Sequence, residues 1–418
     1  MTPQKLKSPL LLIVFACIAF AGECSAAQQA ASFDSTMPAA GNVAKYPGAD
    51  FGSRLSACIA ALSSGGGVCD ARGEGADLAL SSDVIIKKPY TTIYMPSGVI
   101  QMGQHSIGVR AATHGVSLIA RTMHGRSTVR GQTRLLYSGK GCAIQIGDSS
   151  ENTDGFRMDD LLIDLTSANP AASGLCITRT QDISILRPTV IGILAAENNQ
   201  VLIKLDGSGN YTGGLIQQPF LNNGNVHMLF TGQAGTAQGA NAVTVLAARS
   251  AGNGGSSIAV KIEDGDGNAF IGGDFENMGT AFYLGGRAVN NSFYGVRLEK
   301  NKEDIVMESG SQHNMVQAPE FRNHYVDHGT QNTILLGRYT GTATLTFNMG
   351  GSPDCADKTL RVDGASPGDA VALGSPPPAP GGFFTAFVSG QNTVTVRYCS
   401  LFPLTSVAGT FLVEVAKH

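Results

Sequence analysis

From residue 268 onward, apolar and polar positions alternate in short runs, and the runs repeat every 23 residues. Asn268-Ala-Phe-Ile-Gly-Gly-Asp-Phe-Glu-Asn aligns with Asn291-Ser-Phe-Tyr-Gly-Val-Arg-Leu-Glu-Lys and with Asn314-Met-Val-Gln-Ala-Pro-Glu-Phe-Arg-Asn. The same step relates Phe270, Phe293 and Val316, and it relates Phe275, Leu298 and Phe321. Two charged columns share the register, Asp274/Arg297/Glu320 and Glu276/Glu299/Arg322, and a shortened echo follows at Asn332. Alternation of period two is the mark of a strand with one buried face. A unit of this length cannot bury its own apolar side, so neighbouring units must stack into a continuous core. The pattern therefore predicts the coils of a parallel β-helix, with Phe275, Leu298 and Phe321 pointing inward. Asn268, Asn291 and Asn314 would form an amide ladder at a turn, each side chain satisfying the next.

Upstream, 158–165, 174–177, 183–185 and 201–205 read as short strands of less regular coils, while the Gly-, Ala- and Ser-rich stretches 232–241 and 249–257 read as loops leaving the coil. Phe51, Leu55, Cys58, Ile59 and Leu62 form a helical stripe. The Ser-Ser-Gly-Gly-Gly run at 63–67 ends it, which makes this helix the candidate N-terminal cap of the solenoid. After residue 338 the character changes to six alternating strands, at 342–348, 359–362, 370–373, 383–388, 393–399 and 410–415. A loop at 375–382 with four prolines interrupts them, and the set suggests a small antiparallel sandwich.

Composition supports strands and turns over helices: 53 of 418 residues are glycine, and charged residues make up 15%, against a usual ~25%. The net charge of −3 supplies no basic field for nucleic acid. Lys5 and Lys7, an apolar run over 10–21 and small residues at 25–27 read as a secretory signal, cleaved after Ala26 or Ala27. The mature chain is then expected to be secreted, extracellular or periplasmic, with no membrane contact. Cleavage leaves six cysteines, Cys58, Cys69, Cys142, Cys176, Cys355 and Cys399. An even count in an exported chain favours disulfides; 15 full pairings are open, and neighbour pairing (58–69, 142–176, 355–399) is the economical one. The organisation expected is a signal peptide at 1–26, a flexible linker at 27–44, the β-helix at 45–337 and a β-module at 338–418.

The segment Pro47-Gly-Ala-Asp-Phe-Gly-Ser-Arg-Leu-Ser-Ala-Cys, followed by Gly-Gly-Gly-Val-Cys-Asp-Ala-Arg, resembles the opening of pectate-lyase-like right-handed β-helices. The later coils resemble those of the same superfamily and of phage tailspikes, and Ser389-Gly-Gln-Asn-Thr-Val-Thr-Val-Arg-Tyr-Cys resembles a β-module on secreted and tail-fibre-like proteins. The resemblance implies an all-β fold: a right-handed parallel β-helix with an N-terminal capping helix and a C-terminal antiparallel sandwich. It implies a polysaccharide as partner and, on the tailspike side, a homotrimer. The superfamily holds lyases, hydrolases, epimerases and binders, so fold alone does not choose a reaction.

Chemistry is sought on the outer face. Glycoside hydrolysis needs two carboxyls ~5–5.5 Å apart for retention or ~6.5–9.5 Å for inversion, and adjacent coils lie ~4.8 Å apart. Glu276 and Glu299, one above the other, with Asp274 beside them, are thus the catalytic candidates. Arg297, Glu320 and Arg322 would contact substrate, and close like charges would keep one carboxyl protonated. Against this, alternating signs along Asp274/Arg297/Glu320 also make a cross-strand ion-pair ladder. The Asp264, Asp266 and Asn268 spacing resembles the start of a calcium loop, but Ala269 stands where such a loop needs glycine, so a plain turn is the competing reading and no cofactor is required. Asp159-Asp160 resembles the Asp pairs of polygalacturonase-like β-helices, whose further motifs are missing. Among the histidines only His324 and His328 have a metal-like spacing, useful only on a helix. The two classes that remain are a polysaccharide lyase or hydrolase and a non-catalytic glycan binder or tailspike-like structural protein.

Overall fold

In the computed structural model the described residues are 41–75, 78–121, 132–194, 198–208, 212–233, 239–318, 324–336, 339–350, 354–401 and 406–416. The segment 1–26, expected to be a signal peptide, and Glu320, Phe321 and Arg322 lie outside them. Short strands follow one another in parallel and pair with strands one coil away, giving three long ladders. The first face is a twelve-stranded parallel sheet running from Gly41–Asn42 to Thr333–Leu336. The second begins at Leu78–Ala79 and reaches Arg297–Glu299; the third begins at Val84–Ile86 and reaches His324–Asp327. Second and third faces fuse where Arg249–Asp266 and Asp274–Val289 run through the corner unbroken.

The expected loop at 249–257 is corrected by this finding. Arg249, Ser250 and Ala251 pair with Phe220, Leu221 and Asn222, so the small residues stay in the ladder. They bend it through register shifts around Gly254, which has φ +75°. Residues 41–44, expected in the linker, already carry a strand pairing with Cys69 and Asp70 and a helical turn at Val43–Lys45.

The 23-residue register is visible in the pairing: Ala269, Phe270 and Ile271 oppose Ser292, Phe293 and Tyr294, which oppose Met315, Val316 and Gln317. Inside, Phe270 stacks on Phe293 with centroids 4.7 Å apart and planes 8° apart, while Phe282 packs on Phe293 at 4.3 Å and Phe275 meets Phe282 edge-on at 4.9 Å. At the turn, Asn268, Asn291 and Asn314 are fully buried. The Asn291 amide oxygen accepts from the Asn268 backbone N–H (3.1 Å) and side-chain Nδ2 (2.9 Å), and Asn314 accepts likewise from Asn291 (3.0 and 2.9 Å). Asn332 closes the series for Asn314 at 3.0 and 3.1 Å. Burying an amide is costly unless its groups are paired, and stacking identical coils pairs them.

The corner between first and second faces carries a residue with positive φ in successive coils: Asp160 (56°), Arg187 (49°), Gln218 (50°), Ala247 (49°), Gly272 (62°) and Gly295 (62°). Non-glycine residues rarely adopt this conformation, so here the stacked ladders on both sides impose it.

The helix Phe51–Ala61 starts with a capping box, Asp50 accepting from the Ser53 N–H and the Ser53 hydroxyl taking the Asp50 N–H. Phe51, Leu55, Cys58 and Ile59 join the solenoid core, and Lys88 Nζ donates to the carbonyls of Ala60 (2.8 Å) and Leu62 at the far end. The three disulfides are Cys58–Cys69, Cys142–Cys176 and Cys355–Cys399. Two three-stranded antiparallel sheets form the C-terminal module around a separate core that includes Phe347, Tyr398 and Phe411. Among the described residues no helix is long and apolar enough to cross a membrane. The fold class expected from the sequence is the one found.

Asn291→Ala should lower the unfolding free energy by roughly 3 kcal/mol, since it orphans buried donors of Asn268; a urea-midpoint change under about 1 kcal/mol would show that the ladder is not a main tie. His227 is fully buried with Nδ1 2.6 Å from Ser250 Oγ, and burial pushes its pKa down to about 3. The unfolded chain takes up a proton below the usual 6.5 and the folded one does not. The stabilisation is therefore complete above pH 6.5 and is lost as pH falls toward 3. A His227→Gln variant should show a shallower loss of stability between pH 7 and 4 than the parent.

Candidate functional site

The second face presents the charged columns. Gly272 and Gly295 turn the chain out of the first face, and one residue later Gly273 lies so close to the coil below that an added Cβ would sit 2.7 Å from the Ala248 carbonyl oxygen. The next three residues, Asp274–Phe275–Glu276, pair with Arg297–Leu298–Glu299 above and with Arg249–Ser250–Ala251 below. Phe275 is fully buried, and alternation puts Asp274 and Glu276 on the solvent side, half-buried, directly under Arg297 and Glu299.

One oxygen from each of Asp274, Glu276 and Glu299 lies within 4.8 Å of the others. Arg297 binds this cluster: Nη1 is 3.1 Å from both carboxylate oxygens of Asp274, and Nη2 contacts Glu299. Lys300 Nζ reaches Glu299 at 3.2 Å. The hydrogen bond from Lys300, and then the charge of Arg297, hold the Glu299 carboxyl below the ordinary glutamate range. The proton-sharing expected from like-charge proximity is therefore not how Glu299 behaves; its cationic neighbours outweigh the nearby carboxylates. Three oxygens at this spacing could also ligate a hard cation, but the positive charge they attract is already supplied by Arg297 and Lys300.

Glu320 and Arg322 lie outside the described residues. The calcium-loop reading is corrected, because the side chains it needs are committed elsewhere. Asn268 belongs to the buried ladder, Asp264 pairs with Arg287 Nε at 2.7 Å, and Asp266 accepts from Asn290 Nδ2 at 2.9 Å. Asp159 and Asp160 also have structural partners: Arg157 for the first, and for the second Arg187 one coil up, with contacts of 2.6 and 2.5 Å. His328 follows a strand, His324–Asp327, so the spacing from His324 is not helical.

A cavity that the sequence reading missed lies on the third face. It has a volume of about 740 Å³, and its lining includes Asp83, Gln104, Tyr137, Lys140, Gln145 and Asn169. These residues come from separate coils with no motif in common, so only their partner strands could have revealed them.

The parallel coil, its N-terminal helix and the antiparallel end module make a parallel β-helix fold with a C-terminal antiparallel module. No family model matches the chain, and no curated protein matches it. Among solved structures, similar chains are tailspike proteins of E. coli bacteriophage HK620. A mutant in complex with a hexasaccharide is 11% identical, covering 89% of this chain and 91% of that one, with a TM-score of 0.40. A second mutant, in complex with a pentasaccharide, is 10% identical over the same shares at 0.39. The tailspike without mutation named, again with a pentasaccharide, is 10% identical over 85% and 83% at 0.34.

The lowered Glu299 pKa sets a pH dependence. The folded carboxyl binds its proton at lower pH than the unfolded one, whose pKa is about 4.5, so its contribution is complete above that value and vanishes as pH falls through the folded pKa. The stability gap between the parent and Glu299→Gln should hold from pH 7 to 5 and close only below 4.5; a gap that closes at higher pH would contradict the assignment.

Proposed function

We propose that the protein is a secreted, carbohydrate-active β-helix that binds a polysaccharide along its outer face and cleaves it at Glu276 and Glu299. The observation supporting this reading is the approach of the Asp274, Glu276 and Glu299 carboxylates to within 4.8 Å. Oxygens this close favour the retaining arrangement, with carboxyls ~5–5.5 Å apart, over the wider inverting one. Glu299, kept ionised by Lys300 and Arg297, takes the nucleophile's part. Its oxygen bonds to the anomeric carbon as the glycosidic C–O bond breaks, and Glu276 gives its proton to the departing oxygen. Water then attacks the same carbon, Glu276 recovers a proton from it, and Glu299 leaves as carboxylate. Asp274 and Arg297 bind sugar hydroxyls beside the bond. Glu320 and Arg322 extend the same columns in the sequence, and a homotrimer belongs to the proposal as the tailspike-like assembly.

A second reading, a glycan binder without turnover, is favoured by one contact set: Arg297 ties Asp274 and Glu299 together as a ladder would. Incubating the mature chain with acidic and neutral polysaccharides separates the two. Hydrolysis gives new reducing ends and a lyase gives unsaturated ends. Glu276→Gln and Glu299→Gln should each lower turnover at least 100-fold with the fold retained. Unchanged turnover in both would move the site elsewhere, and binding without any product would leave the binder.

A further inference from the structure

The geometry points to a second binding site, on the third face near the N-terminal end of the coil, that takes an acidic oligosaccharide. The cavity of about 740 Å³ adjoins another of about 430 Å³, the two sharing Ser106 and Gln145. Together they form a groove across three coils, those of Val84–Ile86, Ile107–Val109 and Cys142–Ile146. The volumes fall in the ~300–1,000 Å³ range of small-ligand sites. The floor is set by register: Ile85 pairs with Gly108, and Gly108 with Gln145. With no side chain on Gly108, Ile85 leans over it and exposes 41% of its surface, an apolar patch for the C–H face of a sugar ring.

Three cations line the groove, Lys87, Arg110 and Lys140, and none is ion-paired among the described residues. Two carboxylates also line it, so the cations outnumber them three to two, and the hydrogen bonds of Ser150 and then the charge of Arg110 lower the pKa of Asp148. Asp83 accepts the Ser106 N–H at 2.8 Å, and Asp148 accepts the Ser150 N–H at 2.7 Å along with its hydroxyl. The amides Gln104, Gln145 and Asn169 add groups that both donate and accept, as sugar hydroxyls do. Gln145 commits its NH₂ to the Gly147 carbonyl at 2.9 Å, so toward a ligand it offers an acceptor. Tyr137 is 2% exposed and has no open ring face on which a base could stack. An excess of cations over carboxylates, set among amides and hydroxyls over an aliphatic floor, suits a polyhydroxylated anion. This site shares no residue with the acidic strip, which would repel the same ligand.

Calorimetry on the full chain tests the site with a uronic-acid hexasaccharide, its methyl ester and a sulfated hexasaccharide. The acid or the sulfated sugar, or both, should bind, with the ester at least tenfold weaker and affinity falling as salt is added. Replacing Lys87, Arg110 and Lys140 together by Ala should weaken binding at least tenfold. Gly108→Phe should abolish it: the nearest atom to an added Cβ is Ile85 Cδ1 at 3.2 Å, the end of an exposed side chain that can move aside. Glu276→Gln and Glu299→Gln should leave affinity unchanged, which separates this site from the proposed cleavage site. Equal affinity for acid and ester, binding by neither charged sugar, or full affinity in the folded triple or Gly108→Phe variant would overturn the proposal, as would loss of binding in the strip variants.

Discussion

The interaction on which the rest depends is the stacking of one coil on the next in fixed register. Backbone pairing alone would tolerate a slip by two residues, which preserves the inward set. The buried amides do not tolerate it. Asn291 must sit over Asn268 and beneath Asn314, or several donors and acceptors are left in a dry core. Side-chain polarity thus locks a register that the hydrophobic columns alone would leave less strongly specified, and Phe270, Phe293 and Phe282 fill the space that the lock defines.

Register also makes the surface. A column of outward residues in a parallel coil is read from positions one repeat apart, so any charge recurring in the sequence meets its own copy or its opposite at the rung spacing. On the second face this brings three carboxylates together, and Arg297 and Lys300 offset their repulsion. The same contacts that make the cluster tolerable differentiate its members: Glu299 is held ionised by immediate cations. A ladder and a pair of catalytic carboxylates are therefore not exclusive descriptions, since the ladder's cations are what would set the protonation state needed for chemistry.

The third face is built on the opposite rule. Its groove arises where a column is interrupted, at Gly108, and beside the connection 138–141 that joins the strand Thr133–Tyr137 to Cys142–Ile146. The Cys142–Cys176 bond ties together the two coils at this wall, and Cys142 itself lines the cavity. The two surfaces carry opposite local charge although the chain as a whole is nearly neutral, because the solenoid separates them by several coils.

Periodicity in the sequence was enough to determine the coil, the inward columns of Phe270 and Phe275, the amide ladder and the capping helix, because each rests on spacing within one strand or between equal repeats. Neighbour pairing of Cys58, Cys69, Cys142, Cys176, Cys355 and Cys399 was legible for a related reason: each bond joins strands or elements close together along the chain. The corner residues Asp160, Arg187, Gln218 and Ala247 share no side-chain type. Their positive φ is imposed by the ladders on either side, so local preference carried no signal. The Gly- and Ser-rich stretch 249–257 reads as a loop in the sequence, since small residues resemble a linker until neighbouring strands offer them partners, yet it belongs to the continuous strand Arg249–Asp266. The groove was likewise a product of tertiary structure alone, since unequal coils bring Ile85, Gly108 and Gln145 into line at steps of 23 and 37 residues, and no single period runs through them.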